Sequence, residues 1–421
     1  MRSLSFIIIL LLSVIACDSN QQDSEQPIKD RALQLWLQEI CDDRQQASQL
    51  RVKACIDYVK LGYSTGLFLT DMELDEIPPE VFELTSLTLL MLESNNLQSL
   101  SGDWQNLTAL TTLNISKNKL RIIPSSVFRL PKLKTLRIFR NEVERFEAID
   151  NIADFPALKT LEIVDLPYNR LTQLPAFFYQ MPNARIIDLG DNRLSGLDEA
   201  IGNLSNLESL GLPANQIRKL PESIGQLKKL EWLHLSINQL EQVPGGLGEL
   251  SQLKQLLLSE NQLKHLPDTL GNLNNLHTLD IRSNQFKHLP NIISNLNNLH
   301  TLDISRNKLQ ELPESLARLR LLQDLSLFKN SFLSFPEVIS RLTSLKGLRY
   351  SAETRHDLPI SLARLTELES LGLYEHRYSK IPDVIFKLPK LKELVIPLDS
   401  TPDKLLQQQI QTLRSQDVRL D

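Results

Sequence analysis

The chain has 421 residues, 46 of them basic and 51 acidic, for a net charge of −5. Such a balance supplies no basic stripe, so no nucleic-acid partner is expected. At this length several globular domains would fit, yet a repeated frame makes the chain one elongated body in which each unit touches only its neighbours.

The N-terminus reads as an export signal. Arg2 precedes an apolar run from Phe6 to Leu12, too short to span a bilayer as a stable helix. The run ends in Val14-Ile15-Ala16-Cys17, which resembles the lipobox of bacterial lipoproteins. The resemblance implies that residues 1–16 are a signal peptide, that Cys17 carries the lipid (palmitate among its acyl chains), and that Cys17 becomes the mature N-terminus. It implies a protein anchored through this lipid in the bacterial envelope, at the inner or outer membrane or at the cell surface. An ordinary cleaved signal with a coincidental cysteine is the other reading. Residues 17–26 then form a lipidated tether, because 18–26 are polar throughout.

Residues 27–63 are expected to form a helical cap over the first repeat. Leu33, Trp36, Leu37 and Ile40 share one helix face, while Leu50, Ala54, Cys55, Tyr58 and Val59 mark a second helix stopped by Gly62. In an oxidising envelope Cys41 and Cys55 could bridge this hairpin. Two small buried hydrophobes are the alternative.

From here an asparagine returns every 23 residues, first as Asn95, Asn118 and Asn141, then from Asn192 through Asn215, Asn238, Asn261, Asn284 and Asn307 to Asn330. The frame around each is Leu-x-x-Leu-x-Leu-x-x-Asn-x-Leu, as in Leu253, Leu256, Leu258, Asn261 and Leu263. Alternation at Leu256 and Leu258 is the signature of a strand with one buried face. The asparagine amide carries donors and an acceptor that satisfy the turn leaving that strand, so stacked turns should form an amide ladder. Behind each asparagine an apolar residue usually precedes proline, as in Leu220-Pro221 and Leu266-Pro267, where a short helical turn begins. The register gives about fifteen units over residues 64–401. Met72 holds the asparagine slot of the first unit, and Glu353, His376 and Asp399 hold those of the last three. Asn141 to Asn169 spans 28 residues, with the surplus at 147–158 reading as a longer convex turn. Residues 402–421, with Leu405, Leu406, Ile410 and Leu413, should be a helical end cap.

This frame resembles the leucine-rich repeat superfamily. Its 23-residue Leu-Pro-x-x-Ile/Leu-x-x-Leu form is similar to the Ras-binding leucine-rich-repeat scaffolds of animals and to their plant intracellular relatives. The resemblance implies an α/β solenoid, a horseshoe with a parallel concave β-sheet, short helical or 3₁₀ convex turns and helical caps at both ends. Fifteen rungs at about 4.8 Å give an arc of roughly 70 Å, suited to a macromolecule. A partner does not transfer with the frame, since fold does not fix function.

No catalytic constellation is expected, and no cofactor. Cys55-Ile56-Asp57 matches a Cys-x-Asp motif of leucine-rich-repeat ubiquitin ligases, but in that family the cysteine lies in a helical domain after the repeats, and no cysteine follows Cys55 here. His265 with His288, and His277 with His300, stand 23 residues apart on adjacent rungs. They lie in near copies of one repeat, and two imidazoles without a third donor make a poor metal site. No Gly-rich phosphate loop or nucleophile elbow appears.

Ligand capture is therefore sought on the concave face. Positions before, between and after the two core leucines are mostly small or polar, such as Ser209, Gly211, Thr278 and Asp303. The exceptions form three groups: Arg137 and Phe139 with Tyr168, Trp232 and His234 beside Leu257, and Phe328 with Arg349 and Tyr374. Exposed aromatics and arginines dominate protein–protein hot spots, although aromatics also stack along sheets without binding anything. The leading expectation is a non-enzymatic protein-binding lipoprotein. A secreted effector that binds host signalling proteins and a glycan or peptidoglycan binder are the alternatives.

Overall fold

The computed structural model describes residues 26–43, 46–149, 151–351, 358–374, 378–398 and 403–420. Cys17, the expected signal peptide, and Glu353, His376 and Asp399 lie outside them.

The described residues build one sheet of 16 strands, all parallel and mostly in chain order, from Gly66–Phe68 to Arg419–Leu420. The register repeats with the sequence: Leu233 lies beside Leu210 on one side and Leu256 on the other, and Leu256 lies beside Leu279. These leucines are essentially inaccessible. Period-2 alternation sends them into the core, and the residues between them form the opposite face.

The amide ladder holds the turns together. Asn261 donates from Nδ2 to the carbonyls of Leu235 at 2.9 Å and Leu258 at 3.0 Å, while its Oδ1 accepts from the Leu240 N–H at 3.0 Å. One side chain thus satisfies backbone groups on its own rung and on the preceding one. Met72 cannot serve this way, and its own N–H instead donates to Asn95 Oδ1 at 3.0 Å.

The residue before each ladder asparagine adopts a left-handed conformation, with φ of 51° at Arg140, 56° at Tyr168, 57° at Ile237 and 52° at Arg306. This turns the chain out of the strand while the N–H still reaches the next rung, as Ile237 does to Ser259 at 2.9 Å. After the turn, Pro221 caps a 3₁₀ helix, Glu222–Gln226, and its carbonyl accepts from the Ile224 N–H. Proline loses nothing at a cap, where its missing N–H would have no intrahelical partner.

The surplus residues after Asn141 leave the sheet unbroken, for Thr135–Arg137 pairs directly with Ile163–Asp165. They form a short 3₁₀ turn, Ile152–Asp154, and a helical turn, Ala157–Thr160. Beside them Ile122–Ile123 and Arg145–Phe146 pair as a separate two-stranded sheet. Phe146 packs there against Phe128, Phe177 and Phe178.

Two helices, α1 (Gln26–Asp42) and α2 (Ser48–Lys60), precede the first strand; α2 packs on the first rung and α1 packs mainly against α2. Leu37, Ile40 and Ala54 are buried between them, and Val52, Cys55, Ile56 and Val59 join the main core. Cys41 and Cys55 form a disulfide, with Cα atoms 5.1 Å apart. Leu50 corrects the sequence reading, being 41% exposed rather than part of the buried face. The C-terminal segment holds a helix, Lys404–Ser415, capped by Asp403 accepting from the Leu406 N–H at 2.8 Å. It then adds a strand that pairs with Glu393–Val395, so the end of the solenoid is more than a helical cap.

Candidate ligand-binding face

The strands order the concave face into columns. In the column between the core leucines, several aspartates are committed to the fold. Asp188 Oδ1 accepts from the Gly190 N–H at 2.9 Å, Asp280 Oδ1 from the Arg282 N–H at 3.0 Å, and Asp303 Oδ1 from the N–H and Oγ of Ser305. Each short side chain caps the N–H two residues on, an Asx turn. Asp165 differs, because Pro167 stands two residues on and has no N–H to cap. Its carboxyl is raised above the usual aspartate range, chiefly by burial and also by Asp188, with Arg137 acting the other way. Burial likewise raises Asp280, and burial pushes His234 below the usual imidazole range against the pull of Asp188. His234 is therefore a neutral polar surface at pH 7 rather than a cation.

The first group closes around an arginine absent from the sequence expectation. Phe139 and Tyr168 meet edge to face at 5.3 Å, and the Arg140 guanidinium lies 5.1 Å from one ring and 5.3 Å from the other. Arg137 is exposed on the adjoining strand. In the second group, the register sets His234 beside Leu257 and Trp232 beside Gln255. Trp232 is 49% exposed, and Ile237 on the same rung is 50% exposed.

The third group spans three rungs. Phe328 and Tyr374 come within 5.4 Å, and Arg306 lies 5.8 Å over the Phe328 ring. Arg349 sits on the strand between them, Gly347–Ser351. An open groove of about 800 Å³ is lined here by Arg282, Asp303, Arg306, Phe328, Arg349 and Tyr374, among others. Gly372 makes room for this pose, since a β-carbon there would meet the Tyr374 ring at 2.7 Å.

Of the left-handed column the sequence reading names Tyr168 but not Arg140, Ile237 and Arg306, because the positions around the two core leucines end one residue before it. Their signal is simple: each directly precedes a ladder asparagine. The paired histidines are not part of these groups. His277 and His300 stack at 5.2 Å, with each Nδ1 within 2.7 Å of a backbone carbonyl. Among the described residues no group of three His, Cys, Asp or Glu side chains is placed to hold a metal ion.

Family models agree with this geometry. The leucine rich repeat model matches residues 65–120, 85–143, 159–217 and 228–286, and a leucine-rich repeat region model matches 291–416. The chain is a leucine-rich-repeat protein. A leucine-rich-repeat protein of Leptospira interrogans is 28% identical over 84% of this chain and 95% of its own length, with a TM-score of 0.70. The plant peptide hormone receptor RGFR1, solved in complex with RGF2, is 25% identical over 82% of this chain and 57% of its own, with a TM-score of 0.64. An internalin of Listeria monocytogenes, at 24% identity and a TM-score of 0.64, shares the fold over 76% of this chain and 89% of its own. No curated protein sequence matches significantly. Leucine-rich-repeat proteins are generally non-enzymatic, protein-binding scaffolds or receptors.

Proposed function

We propose that this leucine-rich-repeat protein is a non-enzymatic recognition protein, lipid-anchored in a bacterial envelope through Cys17, that holds a protein ligand on its concave face. One observation carries the binding reading: half-buried and exposed aromatics gather with exposed arginines on a face whose aspartates are largely committed to turn caps. Such anchors contribute to affinity because large, fairly rigid side chains bury much area at low entropic cost. The anchor rests on Val14-Ile15-Ala16-Cys17.

The two halves are tested separately. Cells grown with labelled palmitate should label the native protein and not Cys17→Ala. Label on neither would remove the anchor and favour a secreted effector. A soluble form with Phe139, Trp232, Phe328 and Tyr374 all changed to alanine should keep its melting temperature within a few degrees and lose capture of envelope proteins. Normal capture by that variant would move binding off the concave face. Retention of purified glycan instead of protein would favour the glycan-binding alternative.

A further inference from the structure

The groove around Phe328 and Tyr374 carries a small excess of positive charge. Its lining contains Arg282, Arg306 and Arg349 against the carboxylates of Glu260 and Asp303, a balance of three to two in a chain of net charge −5. Asp303 is occupied by Ser305, accepting from its N–H at 2.9 Å and from its hydroxyl at 2.6 Å. Arg282 is held by Asp280 at 3.5 Å. Arg306 and Arg349 make no ion pair among the described residues, and they flank the two rings from neighbouring rungs. A guanidinium presents a planar fork of donors that matches a carboxylate, and nearby ring surface accepts an apolar side chain. The rings themselves are tilted by 44°, and Arg306 lies over one of them. They therefore offer no open flat platform for a sugar.

Resting on the concave-face reading, we propose that this groove binds an acidic peptide segment of the protein ligand, its carboxylates on Arg306 and Arg349 and a neighbouring apolar or aromatic side chain against Phe328 and Tyr374. The remaining face, centred on Trp232, binds a different part of the same ligand.

The probe is a random glutamate–tyrosine copolymer, with lysine–tyrosine copolymer, polyglutamate and heparin as comparisons, and binding is followed by interferometry on the soluble protein. The native protein should bind the glutamate–tyrosine copolymer more tightly than polyglutamate and not bind the lysine–tyrosine copolymer. R306Q together with R349Q should weaken that binding at least tenfold, as should Gly372→Ala, which displaces the Tyr374 ring without removing a charge. Lys228→Ala, at a residue paired with Glu249 outside the groove lining, should leave it within about twofold. Both arginines are on the surface, and thermal melts of each variant confirm folding. Equal binding of the two tyrosine copolymers, native affinity in the double variant, or tighter binding of heparin would overturn the proposal, the last in favour of an anionic glycan. These outcomes leave the concave-face reading standing if the fourfold alanine variant of Phe139, Trp232, Phe328 and Tyr374 loses protein capture. Normal capture by that fourfold variant would sink the broader reading independently.

Discussion

The side-chain oxygen of Asn261 accepts the backbone N–H of Leu240, one rung back, at 3.0 Å. The same amide donates to Leu235 and Leu258. Asn261→Leu would fill similar space but leave the buried Leu240 N–H unpaired, while the Leu235 and Leu258 carbonyls keep their bonds from Asn238 and Asn284. An unpaired buried donor costs about 1–3 kcal/mol, so a loss on the order of 2 kcal/mol is expected. Hydrogen exchange at the Leu240 amide is the direct reading, and unchanged protection there would contradict the ladder as the source of turn stability.

Ile237 should behave in the opposite sense. A β-branched residue at φ 57° is strained, by about 1–2 kcal/mol relative to right-handed backbone. Its side chain is half exposed, so little burial offsets the strain. Ile237→Asn, which tolerates the left-handed region, should raise stability by about 1 kcal/mol. If Ile237 also contacts the ligand beside Trp232, the same substitution weakens capture. A lower melting temperature would show that its apolar contacts outweigh the strain.

Asp165 predicts a pH dependence. Burial raises its folded-state pKa, so the charged form is penalised in the fold. The penalty is present at neutral pH and is relieved as pH falls through the raised folded value towards the ordinary 3.8. Asp165→Asn should therefore stabilise the protein at pH 7, with the gain closing by about pH 4. A gain that persists unchanged in acid would point to something other than charge burial.

The Cys41–Cys55 bridge closes a loop with a sequence separation of 14, for which chain-entropy arguments give about 3 kcal/mol. Because a solenoid transmits stability between neighbours, Cys41→Ala should loosen α1, α2 and the first rungs while the central rungs keep their exchange protection. Uniform loss of protection along the chain would mean the cap controls the whole array.

Much of this was readable in advance, and Leu256 shows why. Its repeat partners Leu233 and Leu279 recur at the same spacing, so burying one rung buries all, and the asparagine amide satisfies the rung beside it for the same reason. The period alone determined the parallel sheet, the ladder and the proline-capped turns, since each unit completes its hydrogen bonds only against a near copy of itself. The concave side chains obey no such repetition. Phe328 reaches Tyr374 across an intervening rung because Gly372 leaves space for the ring, and Arg140 rather than Arg137 lies over Phe139 because the left-handed turn swings it there. Those contacts depend on side-chain direction and on the neighbours across two rungs, which only the folded chain brings within reach.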